Sequence, residues 1–142
     1  MSVVVAYTQT PEGLRALEAG AAEARLRGLP LHVVTMQAHE VGESPTAAKR
    51  DMTTAGALEQ HLARVREELS HDGLEVTTEL LHGQAGEETH QVLDALRRVD
   101  GQLLVVGVRR RSPVGKLVLG SVSRDLLLTA DVPVLAVKTS AE

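Results

Sequence analysis

The residues best placed to do chemistry lie between Gly107 and Val122, in the stretch GVRRRSPVGKLVLGSV. Arg109, Arg110, Arg111 and Lys116 gather four cations within eight residues, although the chain carries a net charge of −4. Gly107, Gly115 and Gly120 punctuate the stretch, and glycine lets a ligand approach the backbone closely. Gly120, Ser121 and Val122 stand where a helical pattern, Leu119, Val122, Leu126, takes hold. The first N–H groups of a helix lack intrahelical partners and carry partial positive charge, so such a start suits a phosphate. The chemistry indicated is anion binding. Two blander readings stand beside it. Arg109 to Arg111 can be a solvated loop face paired with acidic helix residues, and Ser121 can simply cap the helix.

Other chemistries find less support. None of the six histidines has the spacing of a two-histidine helical ligand pair, and a zinc site needs three or four convergent ligands. His82 and His90 flank a helix start and can approach each other, but no metal site is assigned. There is no cysteine, so thiol catalysis, disulfides and cysteine–zinc sites are excluded. No Ser lies in a G-x-S-x-G setting, and Gly115-Lys116 is followed by Leu117, which lacks the magnesium-binding hydroxyl of a P-loop. No catalytic residue is assigned.

Composition narrows the class. The 142 residues suit one domain, taken as 1–142. Apolar residues make up 43%, yet Phe and Trp are absent and Tyr7 is the single tyrosine. The core must be built of Leu, Val and Ala. Without aromatic platforms or a basic balance, a nucleic-acid partner is not expected. No apolar run approaches the roughly 18 residues of a membrane span, and the start, MSVVVAYTQT, lacks the features of a signal peptide. The expectation is a cytoplasmic protein without membrane contact.

The positioning elements follow from pattern. Ser2 to Tyr7 reads as a first strand, and Thr10–Pro11 as helix cap and first helical residue. Leu14, Leu17, Ala21 and Ala24 form that helix's stripe, which ends near Gly28. Leu29 to Met36 reads as the second strand. Gln37 to Asp51 has no periodicity and reads as a long loop, the least ordered internal segment. Leu58, Leu62, Val65 and Leu69 mark a second helix ending at His71, Asp72 and Gly73. Leu74 to Leu81 alternates, with Glu75, Thr77 and Glu79 outward, as an edge strand would. His82 to Gly86 reads as a turn, and Thr89 to Val99 as a helix with Val92, Leu93, Leu96 and Val99 inward. Leu103 to Val106, apolar throughout, reads as a doubly covered strand that Gly107 ends. The last strand spans Val132 to Lys138. Strands alternating with helices imply parallel pairing and right-handed crossovers.

The stretch from Gly107 to Ser121 resembles the C-terminal signature of the universal stress protein family, in which glycine, two residues, glycine, nine residues and glycine precede Ser or Thr. Gly107, Gly120 and Ser121 fall in register; Arg110 replaces the second glycine, and Gly115 is an extra one inside the gap. The opening VVVAY, the closing PVLAV, the element order and the length agree with the family along the whole chain. The resemblance implies a three-layer αβα sandwich, α/β in class, with a five-stranded parallel sheet of order 3-2-1-4-5, as in the adenine nucleotide α-hydrolase-like fold. The order would then reverse between the first and fourth strands, where open α/β sheets bind ligands at the strands' carboxyl ends. The loops there are Tyr7 to Thr10 and Gly107 to Gly120.

What the family does is thereby expected here: a stress-response regulator binding ATP or a related nucleotide, with Mg²⁺ only if ATP binds. The acidic residue that contacts adenine corresponds to Thr8, next to Tyr7, and the backbone contact on the second strand to Val33. Val106 and Gly107 would lie under the ribose and phosphates, and Gly120, Ser121 and Val122 would hold the phosphates. Arg110 either fills the phosphate space or grips the phosphates with its guanidinium. The alternative is a dimeric stress-response scaffold without nucleotide binding, which Thr8 and Arg110 favour. A third, more distant expectation is a slow ATPase or self-phosphorylation at Ser121 or Ser123. A homodimer is expected through the last strand, at Val132, Val134, Leu135, Ala136 and Val137, since a long apolar edge left open invites pairing. A regulatory protein partner is not identified by the sequence.

Overall fold

The computed structural model describes residues 1–39, 42, 44–111, 116–118 and 120–139, with the backbone alone for 110–111 and 116–118. Along the chain these form β1 (Ser2–Ala6), α1 (Pro11–Arg27), β2 (Leu31–His39), α2 (Pro45–Leu69), β3 (Val76–Gln84), α3 (Glu88–Arg98), β4 (Gly101–Arg111), β5 (Lys116–Val118), α4 (Ser121–Thr129) and β6 (Val134–Lys138). Five strands pair in parallel in the order β3-β2-β1-β4-β6. With the short β5 set aside, this is the expected order 3-2-1-4-5, and the architecture is the expected αβα sandwich. Strand β5 is an addition, antiparallel to the end of β4 with Arg109 opposite Val118 and Arg111 opposite Lys116.

Both faces of the sheet are covered. Val3, Val5, Val33, Leu103 and Val105 meet Ala16, Leu17, Ala21 and Ala24 of α1 and Leu62 and Val65 of α2. On the other face Val4, Val34, Leu104 and Val106 meet Val92, Ala95 and Leu96 of α3 and Leu126 of α4. Such strands read as continuous apolar runs because neither side sees water. Helix α1 lies close to the sheet. A Cβ at Gly20 would overlap the Val5 side chain, and one at Gly13 would overlap the Thr8 carbonyl oxygen. The helix therefore buries Gly13, Ala16, Leu17, Gly20, Ala21 and Ala24, whereas Leu14 is exposed. Its ends are as expected: the Thr10 hydroxyl accepts from the Gly13 N–H at 3.1 Å, and Gly28 closes it in the left-handed region.

Several boundaries depart from the sequence reading. The long loop from Gln37 to Asp51 is not one. β2 continues to His39, and α2 begins at Pro45 with the Ser44 hydroxyl accepting from the Ala47 N–H. Residues 40, 41 and 43 of that stretch lie outside the described residues. The polar end of β2 is held by α2: Gln37 Nε2 donates to the Asp51 carbonyl at 2.9 Å, and His39 Nδ1 stands 3.0 Å from the Asp51 carboxylate. β3 continues through His82 to Gln84. His82 meets His39 at 3.1 Å across the strands, while His90 pairs with Asp94 on α3 at 3.6 Å. Glu79 does not face outward freely, because His32 and Arg98 each reach its carboxylate at 2.9 Å. Nor does Gly107 end its strand. β4 runs to Arg111, and Gly107 and Val108 pair with Val137 and Lys138. β6 itself begins at Val134. No described helix is long and apolar enough to cross a membrane.

Candidate functional site

The order of strands reverses between β1 and β4, and there a pocket of about 460 Å³ opens at their carboxyl ends. Three local features build it. The chain leaving β1 contributes Ala6, Thr8 and Thr10, and the first turn of α1 adds Glu12. β4 contributes Gly107 and Arg109. Gly120, Ser121, Val122 and Ser123, with Leu126 below them, form the wall from α4, while Met36 closes the β2 side.

The start of α4 is unusual in what it lacks. Its N-cap is Gly120, no side chain among the described residues caps it, and no acidic residue lies in its first turn. Ser121 is the first helical residue, so the reading of it as the cap does not hold. Gly120 has φ −61° and ψ 158°, which any residue adopts, and no atom of the described residues lies within 4 Å of where its Cβ would be. Neither conformation nor packing calls for glycine there. Gly107 is the opposite case. A Cβ on it would overlap the Glu12 carbonyl oxygen, so it is needed for the close approach of α1 to β4. The Ser123 hydroxyl reaches the Gly107 carbonyl at 3.5 Å.

Charge in the described wall is balanced. Arg109 stands 3.6 Å from the Glu12 carboxylate, which is mostly buried at 17% side-chain exposure while Arg109 is 64% exposed. Thr8 and Thr10 share a hydroxyl–hydroxyl hydrogen bond of 2.8 Å. Among the described residues no group of three or more His, Cys, Asp or Glu gathers as metal ligands would.

Of the residues anticipated from sequence, Thr8, Gly107, Gly120, Ser121 and Val122 meet in this pocket, with Arg109 beside them. Tyr7, Val33 and Val106 are buried and do not line it. Tyr7 turns toward α2, its hydroxyl 2.7 Å from His61 Nε2, and its carbonyl accepts from the Thr35 hydroxyl. Burial, reinforced by the Glu68 carboxylate, raises the Tyr7 phenol above its ordinary range. Val33 packs beneath α1 and α2, and Val106 beneath α3 and α4. The Arg110 backbone pairs with Leu117; its side chain, those of Arg111 and Lys116, and Gly115 lie outside the described residues. The loop ending at Thr10 was placed at the switch point, and Thr10 lines the pocket; sequence reasoning missed Glu12 and Met36 as wall residues. The signal for Glu12 was available: it follows the Thr10–Pro11 cap, and the strand order sets that first turn beside β4.

Fold and pocket together define a doubly wound parallel α/β domain with its cleft where the strand order reverses. Residues 1–138 match the universal stress protein family, and the chain belongs to that family. It is 38% identical over 136 residues, 96% of each chain, to a universal stress protein of Mycolicibacterium smegmatis. Among solved structures it resembles a universal stress protein from Archaeoglobus fulgidus, at 32% identity and TM-score 0.72 over 96% of this chain and 97% of that one. It also resembles the universal stress protein from the same organism in complex with dAMP, at 28% identity and TM-score 0.65 over 96% of each chain.

Proposed function

We propose that this protein is a stress-response regulator that binds an adenine nucleotide in the pocket between β1 and β4. The observation that carries the reading is the bare first turn of α4. Among the described residues its N–H groups have no side-chain cap, its first turn carries no acidic residue, and Gly120 leaves the approach open. A phosphate supplies what that turn lacks. The volume falls within the usual range for small-molecule sites, and a relative from Archaeoglobus fulgidus is described in complex with dAMP. In this reading Thr8 contacts the base or ribose, Ser121 donates to a phosphate, and one of Arg109, Arg110 or Lys116 faces the phosphate charge. ATP is one candidate, and Mg²⁺ would enter only with its phosphates. The protein acts in the cytoplasm and passes the bound state to a partner protein.

A dimeric scaffold without nucleotide is the second reading. It is favoured by Thr8, which offers no carboxylate, and by Gly107, whose need for glycine is met by packing alone. The deciding experiment is acid release and mass analysis of whatever co-purifies, followed by calorimetry with ATP and AMP. Bound nucleotide, or heat that Ser121→Ala reduces, supports the regulator. Silence from wild type and from the Thr8→Asp, Arg110→Gly double variant gives first place to the scaffold. Arg110→Gly alone distinguishes the two roles of that side chain: binding tightens if Arg110 blocks and weakens if it grips.

A further inference from the structure

We infer that Glu12 is the specificity-determining residue of this pocket, its carboxylate accepting hydrogen bonds from the two hydroxyls of a ribose; the inference rests on the nucleotide reading above. Among the described residues Glu12 is the one carboxylate in the wall. It is mostly buried, and among the described residues its carboxylate has one polar partner, the 3.6 Å ion pair with Arg109, too long for a hydrogen bond. A carboxylate has room for about four hydrogen bonds, so capacity remains on its oxygens. What a carboxylate accepts from are donors, and the pocket side is where they can enter.

Position selects the donor. The Glu12 backbone lies against Gly107, and the Gly107 carbonyl is reached by Ser123 from the first turn of α4. One residue therefore separates the Glu12 turn from the proposed phosphate seat. In a nucleotide the sugar hydroxyls are the donors nearest the phosphate, and the amino group of the base is farther away. A vicinal diol also offers two O–H groups to the two oxygens of one carboxylate, a pairing that acidic residues use toward ribose in dinucleotide sites.

The test is calorimetry on the full chain, with divalent cations chelated, using AMP, 2′-deoxy-AMP and 3′-deoxy-AMP. Wild type should bind AMP about tenfold or more tighter than either deoxy compound, as expected for hydrogen bonds to a charged acceptor. Glu12→Ala should bind all three equally, through weaker AMP binding, and Glu12→Gln should retain an intermediate preference. Thermal unfolding of each variant checks that it is folded, and Glu12→Gln carries the test if Glu12→Ala is not. AMP binding without discrimination in wild type, or discrimination that survives Glu12→Ala, overturns the inference and leaves the nucleotide reading standing. No heat with any of the three overturns both.

Discussion

At Gly107 the carbonyl of Glu12 occupies the space a side chain would need, whereas at Gly120 there is open space. The two glycines should therefore fail differently. Gly107→Ala forces α1 off β4 and should cost about 1–3 kcal/mol, the usual range for overpacking, read from the urea midpoint. Gly120→Ala should cost less than about 1 kcal/mol, the difference between these residues at an N-cap, while weakening nucleotide binding. Ser121→Ala should weaken binding by about one to two orders of magnitude, the worth of a hydrogen bond to a charged group, with little change in melting temperature. Glu79 makes a pH forecast. Burial alone would raise its carboxyl, but hydrogen bonds from Arg98 and His32 outweigh burial and hold it below the ordinary value. A folded-state value below the unfolded one gives stability that is full above the unfolded value, near 4.3. That stability is lost as pH falls through the folded value. The stability gap between wild type and Glu79→Gln should accordingly close on acidification, and a gap that does not change with pH would refute the network.

At the scale of elements, two helices begin alike. Thr10–Pro11 opens α1 and Ser44–Pro45 opens α2, each with a hydroxyl accepting from the third residue on. Thr10→Ala and Ser44→Ala should each cost about 1 kcal/mol, measured by chemical unfolding. Only the first start was legible in the sequence, because an apolar stripe follows it. The first half of α2 has none: its buried residues are Leu62 and Val65, near its far end. The polar tail of β2 was illegible for a related reason, since Gln37 Nε2 and His39 Nδ1 find their partners on Asp51 of α2. Gly107 misled as a strand terminator because its cause lies in a helix distant in sequence. The buried runs of β1 and β4, each apolar at successive positions, gave away the doubly covered sheet. The glycine and serine landmarks of the pocket were equally plain. Glu12 was not, because only the strand order brings it to β4, and that order came from a resemblance rather than from periodicity.

For the whole molecule the edge strand β6 governs assembly. One side of β6 pairs with β4, and Val134, Leu135 and Val137 are only half-buried. An apolar strand at a sheet edge is a template for another chain, so a homodimer through β6 is expected. Light scattering at micromolar concentration should give twice the chain mass, and Leu135→Lys or Val137→Lys should give the monomer; a monomeric wild type would refute it. Burial of Tyr7 against His61 has a practical consequence of a different kind. The chain holds one tyrosine and no tryptophan or phenylalanine, so it is nearly dark in the near ultraviolet. Any purine carried through purification would dominate the absorbance spectrum. The emission of that single phenol, hydrogen-bonded between β1 and α2, would report the separation of helix from sheet without a label, from inside the layer opposite α4.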